Sequence, residues 1–388
     1  MSYYVRVGEV PRKRHTWFKT GDGSRLHEEL MGEEGFSGNS SLLYHLRSPS
    51  AITSIEPCQV TRAPVTANNP LAPWHFRASK LPPGGDLILG RHVLLSNDTV
   101  TICWVEAAQS SGLYRNAAGD ELVYVQSGEA TLESVFGRLH AQAGDYISVP
   151  ASTTHRWVLP DGGSVAALVL EAAGHVSIPP RYRTPTGQLK EGAPFCERDL
   201  RPPEGPLVSE EDGPAPVLVR TRHGWATHVH AAHPFDVVGW DGCAYPFAFS
   251  IRDFEPIAGR IHQPPPVHQT FAGPGFVVCS FVPRIFDFDP EAVKVPYHHA
   301  NVDSDEVLFY SDGDFMSRRG AGISAGSMTL HPSGFVHGPQ PGSVEASVEQ
   351  TRTEETAVMV DTFAPLSIGA DARTVADPDY PWTWAQRG

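Results

Sequence analysis

The chain has 388 residues, enough for two domains or for one fold built by internal duplication. Hydrophobic residues at 40% and charged residues at 19% exclude a disordered or fibrous chain. A formal charge of −14 excludes nucleic acid and anionic membranes as partners, because phosphate binding needs a basic face. Cys58, Cys103, Cys196, Cys243 and Cys279 are odd in number and form no CxxC pair, which predicts reduced thiols in a cytoplasmic protein. Residues 1–8 lack the apolar stretch of a signal peptide, and no later run approaches membrane-spanning length.

In chain order, residues 1–85 mix short apolar pieces with Gly, Pro and Ser and read as an N-terminal extension packing on the barrels formed further along the chain. Within it, Arg12, Lys13, Arg14 and His15 form a basic cluster expected to be a solvated or interface face. Residues 86–176 carry strand signals at 86–90, 99–105, 121–125, 131–136, 145–150 and 165–171. A spacing near ten residues with turn residues between predicts a β-barrel or sandwich. The segment 177–215, rich in Pro, Gly, Arg and Glu, reads as a linker, and 216–388 reads as a second barrel with strands at 217–220, 276–278, 306–310 and 357–360. The expected fold class is mostly β, two tandem barrels after an N-terminal extension of short strands and loops.

An internal echo supports duplication. Residues 119–128 (GDELVYVQSG) parallel 304–313 (SDEVLFYSDG), and Gly144, Pro150 and His155 recur as Gly326, Pro332 and His337 at identical offsets of six and eleven. The second copy is the chemically complete one. His299 and Asn301 share one face of a strand, roughly 7 Å apart, Glu306 opens the next strand, and the turn Pro332-Ser333-Gly334 presents His337. Two histidines and one carboxylate with open positions are the ligand set of a mononuclear non-haem Fe(II) site. In the first copy, Arg115 and Asn116 stand where imidazoles would be needed, so Glu121 and His155 form an incomplete set and the barrel is expected to be metal-free. His228, His230 and His233 lack a carboxylate at ligand spacing and are expected to be structural or to serve an interface.

The double motif resembles the cupin superfamily. Its first element, HxH, three or four residues, Glu, six residues, Gly, reads here as His299-x-Asn301, Glu306 and Gly313. Its second, Gly, five residues, Pro-x-Gly, two residues, His, is met by Gly326, Pro332, Gly334 and His337. The longer context at 296–301 (PYHHAN), 336–339 (VHGP), 237–242 (VVGWDG), 28–32 (EELMG) and 42–45 (LLYH) is similar to the homogentisate 1,2-dioxygenase family. That resemblance implies Fe(II) and dioxygen opening the ring of homogentisate to maleylacetoacetate, in trimers or hexamers. It implies His299 rather than His298 as ligand. It also implies a base at His262, with His268 as runner-up, because an imidazole near its ordinary pKa can take a phenolic proton.

His331 is expected to lie just behind the ligands and orient the oxygen or substrate, and Tyr297 and Asn301 to face the substrate. Phe315 stands where many relatives carry a substrate-holding tyrosine, and a phenyl ring donates no hydrogen bond. A small aromatic acid is therefore expected, with gentisate or another hydroquinone acid open beside homogentisate. A metal-dependent isomerase or a binding protein on the same scaffold stays open as well.

Overall fold

A computed structural model describes residues 3–259, 265–318 and 321–385. Strand accounts for 42% of the chain and helix for 9%, so the expected mostly β class holds. The α-helices among the described residues, Ser343–Ser347 and Ala370–Thr374, have five residues each. None is long and apolar enough to cross a membrane.

The first barrel is built on the strand Glu121–Ser134. It pairs over Glu121–Gly128 with Val165–Ala172, and at its two ends with Asp145–Val149 and His155–Val158. Every residue of Val165–Ala172 is buried, as a strand between two packed layers requires, whereas Gly137–Gln142 alternates buried and exposed. The second barrel has the strand order Gln269–Gly273, Phe276–Phe281, Thr356–Thr362, Asp305–Asp312, Ser327–His331 and Trp74–Arg77. Its last strand comes from the N-terminal stretch.

The echo in sequence is an echo in structure. Asp120 accepts from the backbone N–H groups of Ala151 (2.7 Å) and Val176 (2.8 Å), and Asp305 accepts in the same way from Ser333 (2.9 Å) and Leu366 (2.8 Å). Each carboxylate ties the following Pro turn to a crossing segment. Gly128 and Gly313 both take positive φ, 77° and 95°, and a Cβ at either would sit 2.0 or 2.1 Å from a backbone carbonyl oxygen.

Strand pairing departs from the expected division at residue 216. Ala215–Thr221 pairs with Tyr114–Asn116 of the first barrel, Gly224–His230 lies beside it, and Phe247–Ser250 pairs with Asp145–Val149. The expected linker contributes Leu200–Arg201 to the same sheet. Ser367–Gly369, near the C-terminus, returns to His92–Ser96 of the first barrel. The reason is edge coverage: strands that a linear reading assigns to a neighbour are used to cover the first barrel's open edges.

One hydrophobic core runs through both barrels. Trp104 and Phe309 meet at 5.6 Å between ring centroids and Tyr146 meets Phe271 at 5.4 Å, while Tyr124 Oη and Ser311 Oγ lie 2.7 Å apart. Aromatic pairs of this kind add about 0.5–1.5 kcal/mol beyond area burial. The interface therefore fixes the second barrel's strand Asp305–Asp312, which carries Glu306.

Candidate metal centre

Glu306 is the second residue of strand Asp305–Asp312, directly opposite His331 on one side and Asp361 on the other. Directly opposed residues point to the same face, here the barrel interior. After His331 the chain turns through Pro332-Ser333-Gly334, pinned by Asp305. It then runs back so that His337 meets His299 in an antiparallel bridge. The two backbones exchange hydrogen bonds, His299 N–H to His337 O at 2.8 Å and the reverse at 2.9 Å. That pairing sets both imidazoles on one side, with ring centroids 4.3 Å apart. Gly338 makes the close approach possible, since a Cβ there would lie 2.6 Å from His298 Nδ1.

The candidate ligand atoms of His299, Glu306 and His337 all lie within 4.8 Å of one another. Both imidazoles are oriented alike: Nδ1 of His299 lies 3.1 Å from Tyr297 O, and Nδ1 of His337 lies 3.1 Å from Phe335 O. A carbonyl can only accept, so each Nδ1 carries the proton and each Nε2 presents a lone pair toward Glu306. His337 Nε2 is buried and makes no hydrogen bond. A buried lone pair, a second imidazole and a carboxylate converging on one point fit a divalent metal ion, and a metal would satisfy the orphan atom.

Electrostatics follow the geometry. Burial alone would raise the Glu306 carboxyl, but the imidazoles of His299, His331 and His337 around it hold it well below the usual carboxylate range. Burial, reinforced by Arg318, pushes His331 down to about 3, so its ring is neutral. Its Nδ1 donates to Glu306 Oε1 at 2.8 Å and its Nε2 accepts from Tyr380 Oη at 2.9 Å. Burial and the neighbouring Glu306 raise Asp361 to about 8.

The remaining residues named from sequence divide clearly. Asn301 lines the cavity of about 340 Å³ in front of the triad, and its Nδ2 is buried without a partner. Tyr297 stands exposed at the cavity rim. Phe315 is buried edge-on against Tyr310, 4.8 Å between centroids. His298 is exposed. His262 lies outside the described residues, and His268 is buried behind Phe281, which itself lines the cavity. His230 and His233 line a separate cavity with His45 and Arg115.

In the first barrel the residue bridged to His155 is Tyr114, so the positions expected of Arg115 and Asn116 fall to Tyr114 and Asn116. Strand alternation carries the face of Asn116 to 114, while Arg115 points to the other face. Sequence reading also missed Arg91, Asp361, Tyr380 and Arg318. A carboxylate closing an apolar run in both copies, Glu171 after 165–170 and Asp361 after 357–360, was a signal for the second of these.

Fold and triad together define a bicupin with one candidate metal centre among the described residues. A family model described as "Homogentisate 1,2-dioxygenase N-terminal" matches residues 91–251. The protein named "Putative dioxygenase SSO1533" of Saccharolobus solfataricus is 41% identical over 396 residues, covering 99% of each chain. Homogentisate 1,2-dioxygenase of Bradyrhizobium diazoefficiens is 27% identical over 292 residues, 70% of this chain and 62% of that one. The enzyme of the same name from Emericella nidulans is 23% identical over 272 residues, 66% of this chain and 59% of that one. The chain thus spans about three fifths of the length of these two relatives. Among solved structures, a cupin 2 conserved barrel domain protein from Leptotrichia buccalis is similar with a TM-score of 0.38 at 9% identity, covering 78% of this chain and 100% of that one. The chain belongs to the homogentisate 1,2-dioxygenase family of cupins. Membership carries an oxygenase activity and a metal cofactor as properties of the class.

Proposed function

We propose that the protein is an Fe(II)-dependent ring-cleaving dioxygenase of a hydroquinone acid, with homogentisate, opened to maleylacetoacetate, as the first substrate to test. The observation that carries this reading is the convergence of two imidazoles and one carboxylate within 4.8 Å, two of them, His299 and Glu306, lining a cavity of about 340 Å³. Three protein ligands leave coordination positions for substrate and dioxygen.

His299, Glu306 and His337 would hold the iron. Bound there, Fe(II) supplies the one-electron chemistry that lets dioxygen react with an aromatic ring. The chain's own residues do the rest. The carbonyls of Tyr297 and Phe335 keep both ring tautomers ready to bind metal, and His331, braced by Tyr380, holds the Glu306 carboxylate in one orientation. Asn301 Nδ2 donates to a substrate oxygen, which gives that buried amide its missing partner. Phe281, Leu308 and Met359 wall the cavity with apolar surface and exclude water from the ring. The imidazole of His262 is assigned the phenolic proton on chemical grounds. The reading includes a cytoplasmic homo-oligomer, trimer or hexamer, which light scattering tests directly.

The decisive experiment is anaerobic reconstitution with Fe(II), followed by homogentisate or gentisate and air. Oxygen uptake matched one-to-one by ring-opened product is expected with homogentisate. No uptake with either acid would overturn the reading.

A further inference from the structure

Arg318 ends the short turn Met316–Arg318 and is only 6% exposed, yet its side chain lines the same cavity as His299, Asn301 and Glu306. Its Nε donates to Tyr310 Oη at 3.2 Å and its Nη1 to the carbonyl of Gly338 at 2.6 Å, and its guanidinium lies 6.0 Å from the Trp384 ring centroid. A guanidinium has five N–H donors. The Nη2 group makes no hydrogen bond among the described residues, and no carboxylate of theirs lies within ion-pair distance of it.

The other cations along this cavity are engaged. Arg284 pairs with Glu355 at 3.3 Å, and Lys294 Nζ donates to the carbonyl of Asp287 at 2.8 Å. The first barrel shows how this chain treats a guanidinium it buries for structure. Arg91, 7% exposed, is paired with both Glu121 and Glu171. A buried charge without a counterion is costly, and cavities that keep one supply the counterion with the ligand. Glu306 is the carboxylate whose charge acts on Arg318 among the described residues, and it is committed to the metal triad.

We infer that Arg318 is the subsite for the substrate's carboxylate, so that the cavity takes a single-ring acid with its carboxylate on the guanidinium fork and its hydroxylated edge toward the triad. Planar fork-to-carboxylate pairing gives orientation as well as attraction. The identity of the ring rests on the dioxygenase reading, whereas the carboxylate subsite does not require iron.

The test uses the full-length, metal-free protein under anaerobic conditions and two probes, homogentisate and its decarboxylated counterpart methylhydroquinone. Binding is followed by calorimetry, and metal uptake and thermal midpoint are measured on the same preparations. The wild type is expected to favour the acid at least about tenfold, the lower bound for one well-oriented charged contact. Arg318→Met should lose that preference while binding methylhydroquinone within about twofold of wild type, and Arg318→Lys should recover part of it. A wild type that binds both probes alike overturns the inference, as does an Arg318→Met protein that keeps the preference. Equal loss of both probes, with loss of metal uptake, assigns Arg318 to holding the Gly338 turn and also overturns it. Preference for the acid without oxygen uptake by the iron-loaded protein would sink the dioxygenase reading and leave the subsite standing.

Discussion

The two barrels place a glutamate at the same point and give it opposite partners. Glu121 and Glu306 each sit between two neighbouring strands, Glu121 opposite Val149 and Glu171, Glu306 opposite His331 and Asp361. Tyr114 and His155 form the bridge that His299 and His337 form in the other copy. In the first barrel a guanidinium occupies the centre. Arg91 donates to both oxygens of Glu121 at 2.9 and 2.8 Å and to Glu171 at 2.7 Å, Tyr114 Oη adds a bond to Glu121 at 2.8 Å, and Arg62 grips Glu171. In the second barrel no cation of the described residues enters the triad, and the buried His337 Nε2 is left open. One scaffold thus tolerates either an internal cation or a site for an external one, and the choice is made by residues outside the shared motif.

The sharpest way to break that contrast is to remove each glutamate in turn. Glu306→Ala should leave less than about a tenth of an equivalent of bound metal after reconstitution and abolish oxygen uptake with it, since two imidazoles alone hold metal poorly. Glu121→Ala should keep a full equivalent. Elemental analysis of purified proteins decides, and equal metal loss in both would show that the first barrel is not metal-free.

Next in size is Arg91→Met. It strands two buried carboxylates, of which Glu171 still has Arg62 and Arg220 while Glu121 has only neutral donors. Breaking a buried ion pair on one side costs about 3–5 kcal/mol. Denaturant unfolding should report a loss of that order with metal content unchanged among the molecules that remain folded. A cost below about 1 kcal/mol would mean that the guanidinium is not what holds the first barrel's centre together.

Acidification should separate the copies along pH. Burial would raise Glu121, but the Arg91 charge and hydrogen bonds bring it down to about 2. A carboxyl depressed on folding stabilises the protein above its unfolded value near 4.3, and that contribution, on the order of 3 kcal/mol, is lost as pH falls from there through about 2. The triad needs neutral imidazoles to keep metal, and imidazoles take up protons at higher pH than a depressed carboxyl does, so it fails earlier. Metal release measured by a chromogenic chelator should therefore precede acid unfolding followed by circular dichroism. Coincident transitions would contradict the separation.

The same contrast explains how much was legible in the sequence. Glu306 and His337 could be read because strand, turn and ligand fall within one short stretch whose spacing mirrors 119–155. The cation that replaces the metal could not, because Arg91 arrives from a segment 30 residues before Glu121 and carries no periodic signal of its own. Arg318 and Tyr380 are equally silent, as each reaches the centre through a turn whose path is set by packing. Strand pairing across the expected boundary at 216 failed for a related reason. Hydrophobic alternation says that a segment is a strand but not which edge it covers.

The smallest effect tests how far support for the triad extends. Tyr380 is fully buried, and its hydroxyl, 2.9 Å from His331 Nε2, is two hydrogen bonds removed from Glu306. The first barrel has no such chain, because Val149 occupies the place of His331 and offers Glu121 nothing to donate. Partners that orient a metal ligand directly are worth about 10–100-fold in metal affinity. Tyr380→Phe keeps the ring packing and deletes only the hydroxyl, leaving His331 free to rotate or change tautomer. Weakening should fall at or below the tenfold end of that range, about 1.4 kcal/mol or less. Competition with a chelator of known affinity measures it. A shift near a hundredfold would place Tyr380 in the working centre itself, whereas no shift would mean that burial alone fixes His331 and that the second barrel needs no more bracing than the first.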